Sequence, residues 1–289
     1  MDQVPLSAEQ QSDAQLLHTG DGADCVVRCG ELTLKVHKAI LCDRNPYFRA
    51  TFAMKFMEAF SNMINLQEVV TPTMVSAIIK YIYVARPAVG FDLQVYGPMD
   101  DAYFYNFILE LYRHADFFQV ITLKNAIIKE LNNRLRASSE IIFDGCLKEA
   151  EPEKFKKALH DPMTGAIFAF DTSNVYYDVY EPLRAEIFHF VEICYPVLSR
   201  MGDDFHAYLR KAPELSIEIL KRIGEAKDSM FLAPGPEASC MFCDETICAN
   251  PILYIVQPEF GMVVDSRGKI RYFCSRLKCI RQIKAKDFW

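Results

Sequence analysis

The feature that most constrains this chain is an early change in its hydrophobic period. Leu32, Leu34 and Val36 alternate with Thr33 and Lys35, the two-residue repeat of a strand with one buried face. Cys25-Val26-Val27 precedes them across Gly30, so the two segments read as a short hairpin. His37-Lys38-Ala39-Ile40-Leu41 then predicts a short helix ending near Asn45-Pro46, because proline lacks the N–H that would continue it. A second helix takes in Tyr47, Phe48, Phe52 and Phe56, and Ile64-Asn65-Leu66 reads as a brief strand. From Pro72 the period is helical: Val75, Ile78, Ile79 and Ile82 share a face. Phe104, Phe107, Ile108, Leu111, Tyr112 and Ala115 make a second stripe, and Leu123, Ile127, Leu131 and Leu135 a third.

The remaining segments are marked by punctuation. Residues 1–19 read as a flexible polar tail, and Asp21-Gly22 opens the folded part. The start MDQVPLSAEQQSDAQ has neither the basic residues nor the apolar stretch of a secretory signal, so an intracellular location is expected, nuclear or cytoplasmic. Pro87, Gly90 and Gly97-Pro98 mark residues 86–101 as a loop insertion. Ser138-Ser139 reads either as the end of the preceding helix or as a cap for the next. Residues 140–230 are helical in pattern, with breaks expected at Pro152, Pro162, Pro182, Pro196, Gly202 and Pro213. Leu183, Ile187, Phe190, Val191 and Cys194 form one stripe there, and Ala233-Pro234-Gly235-Pro236 is a linker. Ile252–Val256, Gly261–Val264 and Ile270–Phe273 read as strands, the last two joined by Asp265-Ser266-Arg267-Gly268.

Charge narrows the partners. The net charge is −6, yet residues from 236 on hold eight Lys/Arg against six Asp/Glu, so the preceding 235 residues carry −8. An acidic body of that size argues against nucleic-acid binding there. The stretch Arg267–Trp289 is different, with eight Lys/Arg, one Asp, and Tyr272, Phe273, Phe288 and Trp289 interleaved. It suits nucleic-acid contact through phosphates and stacking, and equally a solvated basic face or docking onto the acidic body.

The segments from the hairpin onward resemble the BTB/POZ family. His37, Lys38, Leu41, Tyr47 and Phe48 fall where the family has a His-Lys/Arg-apolar-Leu run and an aromatic pair, with Asn45 where Ser is usual. Phe52–Leu66, Ala77–Tyr83, and Leu111–Phe118 with Leu123-Lys124 follow in the family's order. The resemblance covers residues 20–137 and implies an α+β fold, a helical cluster flanked by a small sheet. It implies a protein-interaction adaptor that forms homodimers through its first helix and neighbouring strands, and that recruits a cullin ubiquitin-ligase scaffold or transcriptional co-regulators. Cullin-binding members carry a hydrophobic–any–Glu triplet before the third strand, a position that Phe56-Met57-Glu58 fits. Phe56 would fill a partner pocket and Glu58 would pair at its rim. A helix turn with one core Phe and one solvated Glu is the alternative. Residues 138–235 resemble the helical extensions of filamentous-fungal BTB proteins.

The ten cysteines divide into two groups. Cys25, Cys29, Cys42, Cys146 and Cys194 lie among apolar residues, as buried small hydrophobes do. Cys240-Met-Phe-Cys243 and Cys274-Ser-Arg-Leu-Lys-Cys279 pair as the ligands of a structural zinc ion in a small Cys-rich, ribbon-like unit over 236–289. Four thiolates on Zn²⁺ leave an excess negative charge that Arg271, Arg276 and Lys278 would offset. Cys248 is a fifth thiol able to replace any ligand, and a metal-free cysteine-rich hairpin is the alternative.

No phosphate-binding glycine loop, Gly-x-Ser-x-Gly elbow or Cys/His nucleophile pair is present, and the six histidines are scattered. Glu186 and His189 form one Glu-x-x-His, but a carboxylate metal site needs a second. His37 is expected to pack and hydrogen-bond beside the hairpin. The sequence therefore reads as a non-enzymatic adaptor. The alternative is a transcriptional or chromatin regulator whose C-terminal unit touches nucleic acid.

Overall fold

The computed structural model describes residues 7–53, 57–66, 70–84, 101–145, 152–198, 203–225, 260–264 and 270–274. The chain divides into two compact units, Met1–Lys129 and Glu130–Trp289.

In the first unit β1 (Cys25–Cys29) is the centre of a three-stranded sheet. β2 (Leu32–Val36) runs antiparallel to it, pairing Cys25 with Val36 and Cys29 with Leu32. Gly30 turns between them at φ +55°, a conformation strained for any side chain. β3 (Met63–Asn65) lies parallel on the other side of β1. Cys25, Val27 and Cys29 are buried, and the Cys29 thiol donates to the Val70 carbonyl at 3.1 Å. Burial, and then the carboxylate of Asp24, pushes the Cys25 thiol up to about 12, so it is an inert core residue.

Helices α2 (Lys38–Arg44) and α3 (Pro46–Ala53) follow the hairpin, and α5 (Pro72–Val84) is the core helix of the unit. Eight of its thirteen residues are buried, so it is apolar nearly all round, as a helix enclosed by protein must be. Its last carbonyls are answered by side chains from other elements. Arg44 donates to the carbonyls of Ile82 at 3.3 Å and Tyr83 at 2.7 Å, and the Gln10 amide donates to that of Val84 at 2.7 Å. These side chains supply what a helix C-terminus lacks. The Tyr83 hydroxyl accepts the His37 backbone N–H at 2.7 Å and lies 2.9 Å from His37 Nδ1, while His37 Nε2 is 2.7 Å from the Asp21 carbonyl. A neutral ring protonated on Nε2 satisfies all three contacts. The position expected for His37 is therefore borne out, and the structure adds Tyr83 as its partner.

Residues 8–19 correct the expectation of a flexible tail. They form α1 (Ala8–Thr19), opened by a capping box between Ser7 and Gln10. Its attachment is polar: besides Gln10, Asp13 pairs with Arg44 at 2.5 Å. Hydrophobic periodicity cannot reveal a helix held this way.

α6 (Asp101–Phe117) buries Phe104, Phe107, Ile108, Leu111, Tyr112 and Ala115, and α7 (Ile121–Gly145) buries Leu123, Ile127, Leu131 and Leu135. Residues 86–100 of the expected insertion lie outside the described residues, and residue 101 belongs to α6. His114 is buried, and desolvation holds its pKa below the usual imidazole value. Ser138-Ser139 neither ends α7 nor caps the next helix. The Ser139 hydroxyl donates to the Arg136 carbonyl at 2.7 Å within the helix, so its backbone N–H stays in the ladder.

The second unit continues with α8 (Pro152–Ala169), a 3₁₀ turn (Tyr177–Tyr180), α9 (Glu181–Leu198), α10 (Asp203–Lys211) and α11 (Pro213–Glu225). Pro152 and Pro213 open helices, where the missing N–H costs nothing. Pro162 and Pro196 were expected to break the pattern, but they lie within α8 and α9. The lost backbone bond is offset at Pro162 by burial of the ring itself. β4 (Phe260–Val264) and β5 (Ile270–Cys274) pair antiparallel, Phe260 opposite Cys274. The rest of the proposed Cys-rich unit, Ile252–Val256 included, lies outside the described residues.

The polar docking of α1 gives an isosteric test. The double variant Gln10→Glu/Asp13→Asn keeps the capping acceptor but removes the donor to Val84 and the charge facing Arg44. A helix of this length is marginal when undocked. Hydrogen exchange should show lost protection across 8–19 with α5 still protected, and urea unfolding should show a loss of about 1–3 kcal/mol.

Candidate protein-interaction site

The candidate site is a corner where α3, the short helix α4 (Met57–Ser61) and the α6–α7 turn meet. Asn45 sets its geometry. Its buried amide accepts the Phe48 N–H at 3.1 Å, opening α3, and donates to the Phe118 carbonyl at 2.9 Å. Asn at this position is thus a two-sided bridge, needing both an acceptor and a donor. Above it Phe48 and Phe118 stack with ring centres 5.7 Å apart, and Tyr47 meets Phe118 edge-on at 5.1 Å. Tyr47 also touches Phe117 at 5.4 Å.

Lysine 38 ties α4 to this frame. The Lys38 ammonium sits 5.0 Å over the Phe52 ring and donates to the Asn62 side-chain carbonyl. Asn62 turns the chain from α4 into β3 at φ +55°, which asparagine tolerates better than most residues. Asp24 accepts the Lys38 backbone N–H at 2.7 Å, at the start of α2. These contacts hold the residue that follows α4 against α2 and α3.

What this corner displays is apolar. Met57 is 82% and Phe60 78% exposed, while Ile121 is 68% exposed at the start of α7. Phe117 adds a partly exposed ring. Tyr47 links the two groups, touching Phe117 and lying within electrostatic reach of Glu58. Burial, and then that carboxylate, pushes the Tyr47 phenol up, so it remains a neutral hydrogen-bonding group. Large apolar side chains beside a carboxylate, on an ordered support, make a surface suited to another protein.

Of the residues expected to bind a partner, Glu58 is half-buried in the first turn of α4, and Phe56 lies outside the described residues. Met57, Phe60, Phe117 and Ile121 were not read as surface residues. Phe60 sits three residues after Met57 and Phe117 beside a core Phe118, spacings that also suit interior packing. Of the expected zinc ligands, Cys240, Cys243 and Cys279 lie outside the described residues, and Cys274 ends β5. Among the described residues no group of three or more His, Cys, Asp or Glu could hold a metal ion. His189 approaches Glu192 at 3.9 Å, across an exposed helix face. No described helix is long and apolar enough to cross a membrane.

The corner lies within the stretch that comparison with known proteins matches. Residues 14–135 match the family model described as the BTB/POZ domain. Human Kelch-like protein 40 is 29% identical over 124 residues, 43% of this chain and 17% of that protein. BTB/POZ and MATH domain-containing protein 3 of Arabidopsis thaliana is 30% identical over 122 residues, 42% of this chain and 29% of its own length. The chain thus spans less than a third of these curated relatives. They are animal and plant proteins, and the fungal resemblance remains a reading of sequence pattern. The BTB domain of zebrafish PATZ1 is a solved structure matched over 45% of this chain and 99% of its own, at 17% identity and a TM-score of 0.30.

The Asn45 bridge yields a graded expectation. Asn45→Ala leaves the Phe118 carbonyl and Phe48 N–H without their partner and should lower stability by about 2 kcal/mol or more. Asn45→Ser, which keeps an acceptor near Phe48 but is too short for the bridge, should fall between the two. Urea titrations of the three proteins measure the order.

Proposed function

From the premise that residues 14–135 are a BTB/POZ domain, we propose that this chain is an adaptor that self-associates through that domain and presents the α3–α4 corner to a cullin-type scaffold. The observation that carries this is the exposed apolar pair Met57 and Phe60 flanking Glu58 on a supported helix. In this reading Phe56 and Met57 provide apolar anchors, Glu58 pairs at the rim, and Tyr47 extends the contact toward Phe117. The body beyond residue 135 holds the cargo, and no catalytic step is assigned to the chain.

The test uses the full chain. Purified cullin should be retained by the wild type and lost by at least about tenfold in affinity on Phe56→Ala/Glu58→Ala, as expected when central anchors are truncated. Light scattering should show a dimer in both. Intact dimers that retain no cullin would reject the scaffold assignment. Salt-sensitive retention of DNA by the same protein would then favour a transcriptional role for the basic stretch Arg267–Trp289.

The C-terminal cysteines belong to the same proposal as a closed structural zinc site of Cys240, Cys243, Cys274 and Cys279. Support comes from the two-pair spacing and from the β4–β5 hairpin, which returns the chain at Cys274. Zinc would supply stability that a small unit cannot draw from its own core. Metal analysis of the gently purified full chain should find about one zinc per chain, and a clearly lower ratio rejects the site.

A further inference from the structure

We infer that the outward face of the three-stranded sheet binds an extended acidic segment of a partner protein through Arg28 and Lys35. The face follows from the alternation of β1. Cys25, Val27 and Cys29 point into the core, while Val26 is half-buried and Arg28 exposed. The strand register carries that alternation across the sheet. Arg28 stands opposite Thr33 on β2 and Asn65 on β3, and Val26 opposite Lys35 and Met63. Residues directly opposite one another share a face, so these six side chains form two adjacent rows. Arg28, Thr33, Lys35 and Asn65 are exposed there, with Val26 and Met63 half-buried between them.

The charge on this face is uncompensated. None of its six residues is a carboxylate, although the chain carries a net charge of −6. Arg28 and Lys35 are diagonal neighbours across the β1–β2 pair, which brings their Cβ atoms within about 7 Å. Among the described residues neither cation forms an ion pair. The stem of Lys35 lies along the end of α1, where Gly20 leaves room for it: a Cβ at Gly20 would stand 3.1 Å from that of Lys35. The guanidinium of Arg28 offers paired N–H donors in one plane, which match the two oxygens of a carboxylate. Thr33 and Asn65 flank it with neutral polar groups rather than a competing acid.

Charge and spacing select the occupant. A second copy laid on this face would set cation against cation. A nucleic acid presents a phosphate charge every ~1.7 Å of its axis, far more than two cations on an acidic chain can answer. An acidic peptide fits both constraints. In an extended segment alternate side chains share one side and lie roughly 6–7 Å apart, the spacing of the Arg28–Lys35 pair. Two carboxylates at positions i and i+2 therefore reach both cations, and the apolar atoms of Val26 and Met63 lie beside them. None of these six residues belongs to the α3–α4 corner, so the two surfaces can be tested apart.

The probe is a fluorescein-labelled peptide of alternating Glu and Thr, about ten residues long, titrated with the full chain and followed by fluorescence anisotropy. Saturable binding is expected, and the same peptide with Gln in place of Glu should not bind. Arg28→Gln/Lys35→Gln should weaken binding by about five- to tenfold, with circular dichroism and the urea midpoint unchanged. Arg28→Lys, which keeps the charge but loses the planar fork, should fall between the two. Arg28→Gln alone repeats the comparison if the double variant unfolds at lower urea. A wild-type chain that shows no saturable binding overturns the inference. So does binding that the double variant retains in full, which would assign the peptide to other basic residues. A DNA duplex that binds more tightly than the peptide and is lost in the same variant would give the face to nucleic acid instead.

Discussion

The first unit depends on how the C-terminal end of one buried helix is satisfied. α5 gives eight residues to the core, and its last carbonyls, those of Ile82, Tyr83 and Val84, are costly to leave unpaired where water is excluded. Arg44 and Gln10 answer those carbonyls, and the Tyr83 hydroxyl gathers His37 and the end of the hairpin at the same place. Elements from the first and second turns of the domain thus converge on one helix end. The arginine is also favoured by the negative end of the helix dipole, and Asp13 balances its charge.

The interaction corner uses the opposite strategy. Its support is satisfied internally, by Asn45 between α3 and Phe118 and by Lys38 between Phe52 and Asn62. Its display is not: Met57 and Phe60 stand in solvent beside Glu58. An apolar surface contributes affinity without a folding step.

Elements held by buried apolar side chains were legible in the sequence. The β1–β2 hairpin, α5, α6 and α7 stand where alternation and helical stripes place them, because burial imposes those periods. Elements held by polar contacts were not. α1 has no broad apolar stripe, and its partners Arg44 and Val84 are remote in sequence, so its residues read as a tail. Ser139 and Pro162 read as breaks because local preference was taken without burial, which holds both inside helices. Of the candidate site, the Glu58 position came from family resemblance, whereas the exposure of Met57, Phe60 and Ile121 needed the fold. An apolar residue on a helix carries no mark in sequence of which side faces outward.

The attachment of α1 also has a timing. Gln10 and the Val84 carbonyl it binds are separated by 74 residues. At ribosomal speeds that interval is on the order of 4–15 s. Through it α1 has been made but its main acceptor has not. A hairpin can close as soon as its second strand emerges, so the sheet precedes the helix that comes before it in the chain. The first helix of this domain therefore settles only once α5 has been made, later than the hairpin that follows it in the chain.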